Sequence, residues 1–172
     1  MHNQLTPNSI AFIGLCHEYC SALENARESS RAEFVADITK LLPRLYISAS
    51  DLNAEADDYN PNIESSLDED YYDSVRRNVE SLMGPSDVYL EVFEDDMKYS
   101  DTPIAASISE GLADIFQSLY NFLSMVKNAP EEITIAALSA MKEDFETYWS
   151  QILRNVLRAV NHIKYNDTEE YN

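Results

Sequence analysis

Residues 91–126, EVFEDDMKYSDTPIAASISEGLADIFQSLYNFLSMV, decide the fold. From Ile104 onward, apolar residues return every three or four positions, at Ile108, Leu112, Ile115, Phe116, Leu119, Phe122, Leu123 and Val126. A helix completes a turn in about 3.6 residues, so this spacing gathers them on one wide face. Ser107, Glu110, Asp114, Gln117 and Asn121 repeat at the same period as a polar stripe on the other side. Ala105, Ala106 and Gly111 are small enough to let a neighbouring helix come close. Asp101-Thr102-Pro103 reads as the helix start. Thr102 offers an acceptor to first-turn N–H groups, and Pro103 suits a position that needs no N–H partner. The stretch predicts a central core helix entered through a carboxylate-rich loop.

Periodic segments flank it on both sides. Asn8 or Ser9 is placed to cap a first helix with Phe12, Ile13, Cys16, Cys20 and Leu23 inward. Ser30-x-x-Glu33 is a capping-box pattern opening a second helix, with Phe34, Ile38, Leu41, Leu42 and Leu45 inward. Pro43 lacks an N–H and should kink or end that helix nearby. Residues 48–67 are acidic, weakly periodic and contain Pro61, which predicts an irregular connection. Ser66-x-x-Glu69 or Asp68 then caps a third helix with Tyr72, Val75, Val79 and Leu82 inward, closed by Gly84-Pro85. Val88–Phe93 alternates like a strand, but a lone strand would lack a partner, so a short helix after Ser86 is expected. A last long helix, about 130–164, turns Leu138, Met141, Phe145, Tyr148, Trp149, Ile152, Val156, Val160 and Ile163 inward. The reading is all-α: one domain over 1–172, an up-and-down bundle of four or five long helices with one or two short ones. The tail from about 166 is expected to fray.

Charge is the strongest feature of the composition. The 172 residues carry a net charge of −19, and residues 51–101 hold 16 of the 31 acids against Arg76, Arg77 and Lys98. Such a field repels nucleic acid and anionic membranes and favours cationic or basic partners. Cys16 and Cys20 would lie one helical turn apart, and two cysteines do not make a disulfide framework. The apolar patch Ile10–Leu15 lacks a preceding cation and is too short to span a bilayer, so a cytoplasmic location is expected.

The run MKYSDTPIAASISEGLADIFQSLYNFL, with DYYDSVRRNVESLMG before it and MKEDFETYWSQILRNVLRAVN after it, resembles an uncharacterised family of acidic, all-helical bacterial proteins known as a domain of unknown function. The resemblance covers most of the chain and is most specific at MKYSDTPIAASISE. It implies a helical, soluble bacterial protein and carries over no activity and no catalytic residue.

Four constellations bear chemistry. Glu91, Glu94, Asp95, Glu110 and Asp114 are candidate ligands for magnesium or manganese, because hard cations need converging oxygen ligands. Glu91-x-x-Glu94 matches the first half of the ExxE, spacer, ExxD arrangement of MazG-type pyrophosphatases. The second half departs from it, with Glu110 and Asp114 four apart and Ala113 where an aspartate is expected. The plainer account is a solvated acidic face. Asp51-x-Asn53-x-Glu55 begins like a calcium loop, but Ala56 replaces the turn glycine and Asn62 the bidentate glutamate. Arg154, Arg158 and His162 share a helix face, as in HEPN-type ribonucleases. Their spacing departs from that pattern, and cations near a helix C-terminus complement its dipole. Cys16, His17 and Cys20 lack a second ligand pair and read as core. The function expected is a non-catalytic interaction domain that presents an acidic, tyrosine-rich surface to a cationic or basic protein and has no cofactor. The alternative is a divalent-metal-dependent hydrolase of a phosphorylated small molecule. The oligomeric state is left open, a homodimer included.

Overall fold

The computed structural model describes residues 5–53, 62–91 and 104–166. Five long helices dominate: α1 (Pro7–Glu24), α2 (Arg31–Ser50), α3 (Glu69–Met83), α4 (Ile108–Val126), and a last one made of α5 (Glu131–Asp144), a π-helical segment (Phe145–Trp149) and α6 (Ser150–Asn166). Helix α4 is the hub. It packs against α1, α3, α5 and α6, while α2 closes the bundle against α1 and α6. The core joins Phe12, Cys16 and Leu23 of α1, Ile38, Leu42 and Leu45 of α2, and Leu112, Phe116, Leu119 and Phe122 of α4 to Trp149, Leu153 and Val156. At Gly111 the helices α4 and α6 come so close that a Cβ would stand 2.4 Å from Cγ2 of Val156.

Local signals set most helix ends. Ser30 Oγ accepts from the N–H of Glu33, as its capping box predicts. Asp68 caps α3 by accepting from Asp70 N, and Gly84 ends that helix with φ of 59°. Helix α1 is capped by Thr6, one turn before Ser9, because Pro7 is suited to the first helical position. Pro43 neither ends nor shortens α2, which continues seven residues to Ser50.

The entry to α4 differs from the expectation. Val88–Leu90 is a strand, β1, and it has a partner. Ala105–Ser107 forms β2, antiparallel to it, with Tyr89 opposite Ala106. The helix therefore begins at Ile108, and its cap is Ser107, whose side chain accepts from Glu110 N. Ile104, Ala105 and Ala106, expected in the first helical turn, are outside it. Two acceptors serve the helix start. Buried Asp87 accepts from Ser109 N at 2.8 Å and from Ser109 Oγ at 2.7 Å, placing a carboxylate at the positive end of the helix dipole. That anchor fixes the end of β1 against α4 and holds the ribbon in place. Thr102 and Pro103, the expected cap and first helical residue, lie outside the described residues.

The last helix carries the second departure. A regular period would turn Tyr148 inward beside Phe145 and Trp149. The π-helical segment fits an extra residue into this turn, so Phe145 and Trp149 stay buried while Tyr148 is 44% exposed.

Candidate functional site

The polar stripe of α4 forms the floor of a groove. Its first part is a cavity of about 440 Å³ between the ribbon, α4, the π-helical segment and α6, with Tyr89, Glu91, Glu110, Asp114 and Tyr148 on its walls. Thr147 and Tyr148 separate it from a second cavity of about 470 Å³ that reaches Gln117, Ser118, Asn121, Glu143 and Asp144. Asp114 and Gln117 border a third, of about 350 Å³, against Glu69, Tyr72 and Asp73 of α3. Seven carboxylates line these cavities, and none of the lining residues is Lys, Arg or His. Asp73 is ion-paired with Arg76 and Arg77 on its own helix. Near the far end of the groove, Asn121 Oδ1 accepts from the backbone N–H groups of Ser66 and Leu67, pinning the segment that leads into α3.

Tyrosine hydroxyls organise the carboxylates. Tyr72 donates to Asp114 Oδ1 at 2.5 Å. Burial pushes the Asp114 carboxyl up, the Tyr72 hydrogen bond opposes it, and the charge of Glu110 adds to the rise. Asp144 is also raised by burial, with the Ser118 hydroxyl opposing. The phenol of Tyr148 is raised by burial and then by Asp114, Asp144 and Glu110, so three carboxylates act on one ring. Tyr89 donates to Glu91 Oε1 at 3.3 Å. Glu91 Oε2 is enclosed and finds no donor among the described residues.

Of the five acids read as metal ligands, Glu91, Glu110 and Asp114 line one cavity. Glu94 and Asp95 lie outside the described residues. Among the described residues no three Asp, Glu, His or Cys side chains are grouped to hold a metal ion. Glu55 and Ala56 of the calcium-like stretch also fall outside. Arg158 has a structural task. It donates to the carbonyl of Leu90, and its guanidinium lies 5.8 Å from the Tyr89 ring centroid, tying α6 to β1. Arg154 and His162 are exposed. Cys16 and Cys20 are buried free thiols, both pushed up by burial, while His17 between them is exposed. The three are a core pair and a surface residue. Tyr72, Tyr89, Asp144 and Tyr148 were not among the sequence candidates. The regular period turns Tyr148 toward the core because periodicity cannot register a π turn; the dense polar run Glu143–Thr147 around one phenylalanine is the available sign.

Residues 3–166 match the model of a family described as "Domain of unknown function (DUF5063)". The chain belongs to this family. That description assigns no activity to the family. Its fold is similar to the crystal structure of protein BF1032 from Bacteroides fragilis, a structural-genomics target, at 31% identity and a TM-score of 0.81 over 95% of this chain and 96% of that one. No curated protein matches the chain. No helix among the described residues is long and apolar enough to cross a membrane.

Proposed function

We propose that this DUF5063 domain is a non-catalytic interaction module that receives a cationic protein partner on the groove of α4. One observation carries the reading: three adjoining cavities are lined by seven carboxylates with no cationic side chain on their walls. Like charges gathered together cost stability, so a fold that keeps them around a recess gains from an opposite charge brought to it. Tyrosines add rings to the same walls, and a ring face attracts a cation. The net charge of −19 strengthens attraction at long range.

A titration of the full chain with a lysine-rich peptide, followed by calorimetry at low and physiological salt, tests this. Binding should be measurable at low salt and weaken as salt screens it. The same peptide with glutamate in place of lysine should not bind. Equal binding of both peptides, or of neither, would contradict the proposal. The alternative, a divalent-metal hydrolase using Glu91, Glu94, Asp95, Glu110 and Asp114, has no grouped ligand set among the described residues in its favour.

A further inference from the structure

We infer that the outer ridge of the last helix docks a second copy of this chain, the two helices lying antiparallel about a two-fold axis near Gln151. The inference does not rest on the groove reading; it rests on the order of charge along one helix. α5, the π-helical segment and α6 run on as a single helix from Glu131 to Asn166. Residues 131–146 hold Glu131, Glu132, Glu143, Asp144 and Glu146 against Lys142. Residues 147–166 hold no acid, in a chain with 31, and carry Arg154, Arg158 and Lys164. Helix α3 shows the ordinary alternative, with Arg76 and Arg77 three or four residues from Asp73 and Glu80 and paired with them. Glu146 and Arg154 are eight residues apart, about 12 Å at the helical rise, too far to pair within their own helix. Among the described residues neither they nor Glu143 has an ion-pair partner. The helix dipole does not account for this order. Its effect fades within the end turns, and Glu143 and Arg154 each lie twelve residues inside the helix ends.

An antiparallel copy brings the two halves together. With the extra residue of the π turn, the helical period sets Glu143, Thr147, Gln151 and Arg158 on one outward line, with Glu146 and Arg154 beside it on one flank. All six are exposed. The midpoints of Glu146–Arg154 and Glu143–Arg158 both fall at residues 150–151, so one two-fold axis satisfies both pairs, each twice. Arg158 gives one donor to the Leu90 carbonyl, and its guanidinium has others. Exposed ion pairs contribute little affinity, so their part is to set register and orientation. Area comes from Tyr148 and Tyr165, 44% and 70% exposed on the same stretch. At physiological ionic strength the Debye length is about 8 Å, which screens the charge of the remaining surface while the contacts persist.

The test is sedimentation equilibrium of the full chain over a wide concentration range at physiological salt. The chain should pass from monomer to dimer as concentration rises. Glu146→Arg or Arg154→Glu alone sets like charges opposite each other twice and should weaken dimerisation by about tenfold or more. An equimolar mixture of these two variants places an arginine against a glutamate at both contacts. It should therefore form a mixed dimer as tight as the unaltered one. The double variant should also recover. Arg27→Glu and Glu28→Arg make the same charge changes at exposed positions on another part of the fold and should change the dimer constant less than about twofold. Circular dichroism checks that each variant folds, and the milder Glu146→Gln and Arg154→Gln should weaken the dimer if a reversal unfolds the chain. A chain that stays monomeric at every concentration would overturn the inference. So would a dimer indifferent to both reversals, or single variants that do not pair when mixed. Failure here leaves the groove reading untouched, because the lysine-rich peptide titration is read separately.

Discussion

The two sides of α4 treat polar groups in opposite ways. Toward α1, the buried Tyr19 hydroxyl donates to the Leu112 carbonyl at 2.6 Å. Between α1 and α2, Asn8 and Ser48 are doubly linked, with Nδ2 donating to the Ser48 carbonyl and the Ser48 hydroxyl donating to Oδ1. Nearby Arg44 meets both carboxylate oxygens of Glu18. On the groove side, carboxylates face one another across cavities, burial lifts Asp114 and Asp144, and Glu91 keeps an oxygen unserved. One helix thus separates the two demands: its apolar face and its α1 contacts supply stability, while its polar stripe collects groups that stability alone would not select.

Changes to the packed contacts of α4 and the core should have the larger effects, all destabilising. Phe12 is fully buried with its ring 5.7 Å from that of Phe122, and Phe12→Ala should cost about 3–5 kcal/mol in denaturant unfolding. A cost under about 1 kcal/mol would mean that this contact does not organise the core. Gly111→Ala puts a methyl group against the stiff Val156 side chain. Overpacking of about 1–3 kcal/mol should outweigh the helix propensity gained, about 1 kcal/mol, so the melting temperature should fall. Tyr19→Phe removes one buried hydrogen bond and should cost about 1 kcal/mol.

Groove changes should be smallest and of opposite sign. Asp114 and Asp144 have folded values above the ordinary 3.8, so between the two values the folded state binds more protons. Their relative contribution to stability is fully present below the ordinary value and is lost as pH rises through the raised one. The melting temperature should increase on mild acidification from neutrality. Asp114→Asn keeps an acceptor for Tyr72 and removes the charge, so it should raise the melting temperature at neutral pH and flatten this profile. A melting temperature that falls from neutrality toward mild acid would remove the contrast between the two sides.

Much of this contrast was legible in the sequence. The 3.6-residue period found the buried faces of α1, α2 and α4, and the stripe Ser107, Glu110, Asp114, Gln117, Asn121 is the floor of the groove. What escaped was non-local or non-periodic. Val88–Leu90 alternates as a strand should, but its partner lies beyond a long acidic connection and resembles a helix start, because alanines and a Ser cap suit both. Tyr148 escaped because a single π turn shifts register without changing composition. The ExxE spacing picks out Glu91, and the structure places it in a tyrosine-walled recess with one oxygen enclosed.

The claim that the α4 groove is a seat for a basic polypeptide is tested most directly by thermal unfolding of the full chain at neutral pH and matched ionic strength, in sodium chloride, magnesium chloride or the lysine-rich peptide. A ligand that binds only the folded state raises the melting temperature beyond the effect of screening. The account predicts a peptide shift well above that of sodium, with magnesium and sodium equal. A magnesium shift well above sodium, or a peptide shift no larger than that of salt, would contradict it.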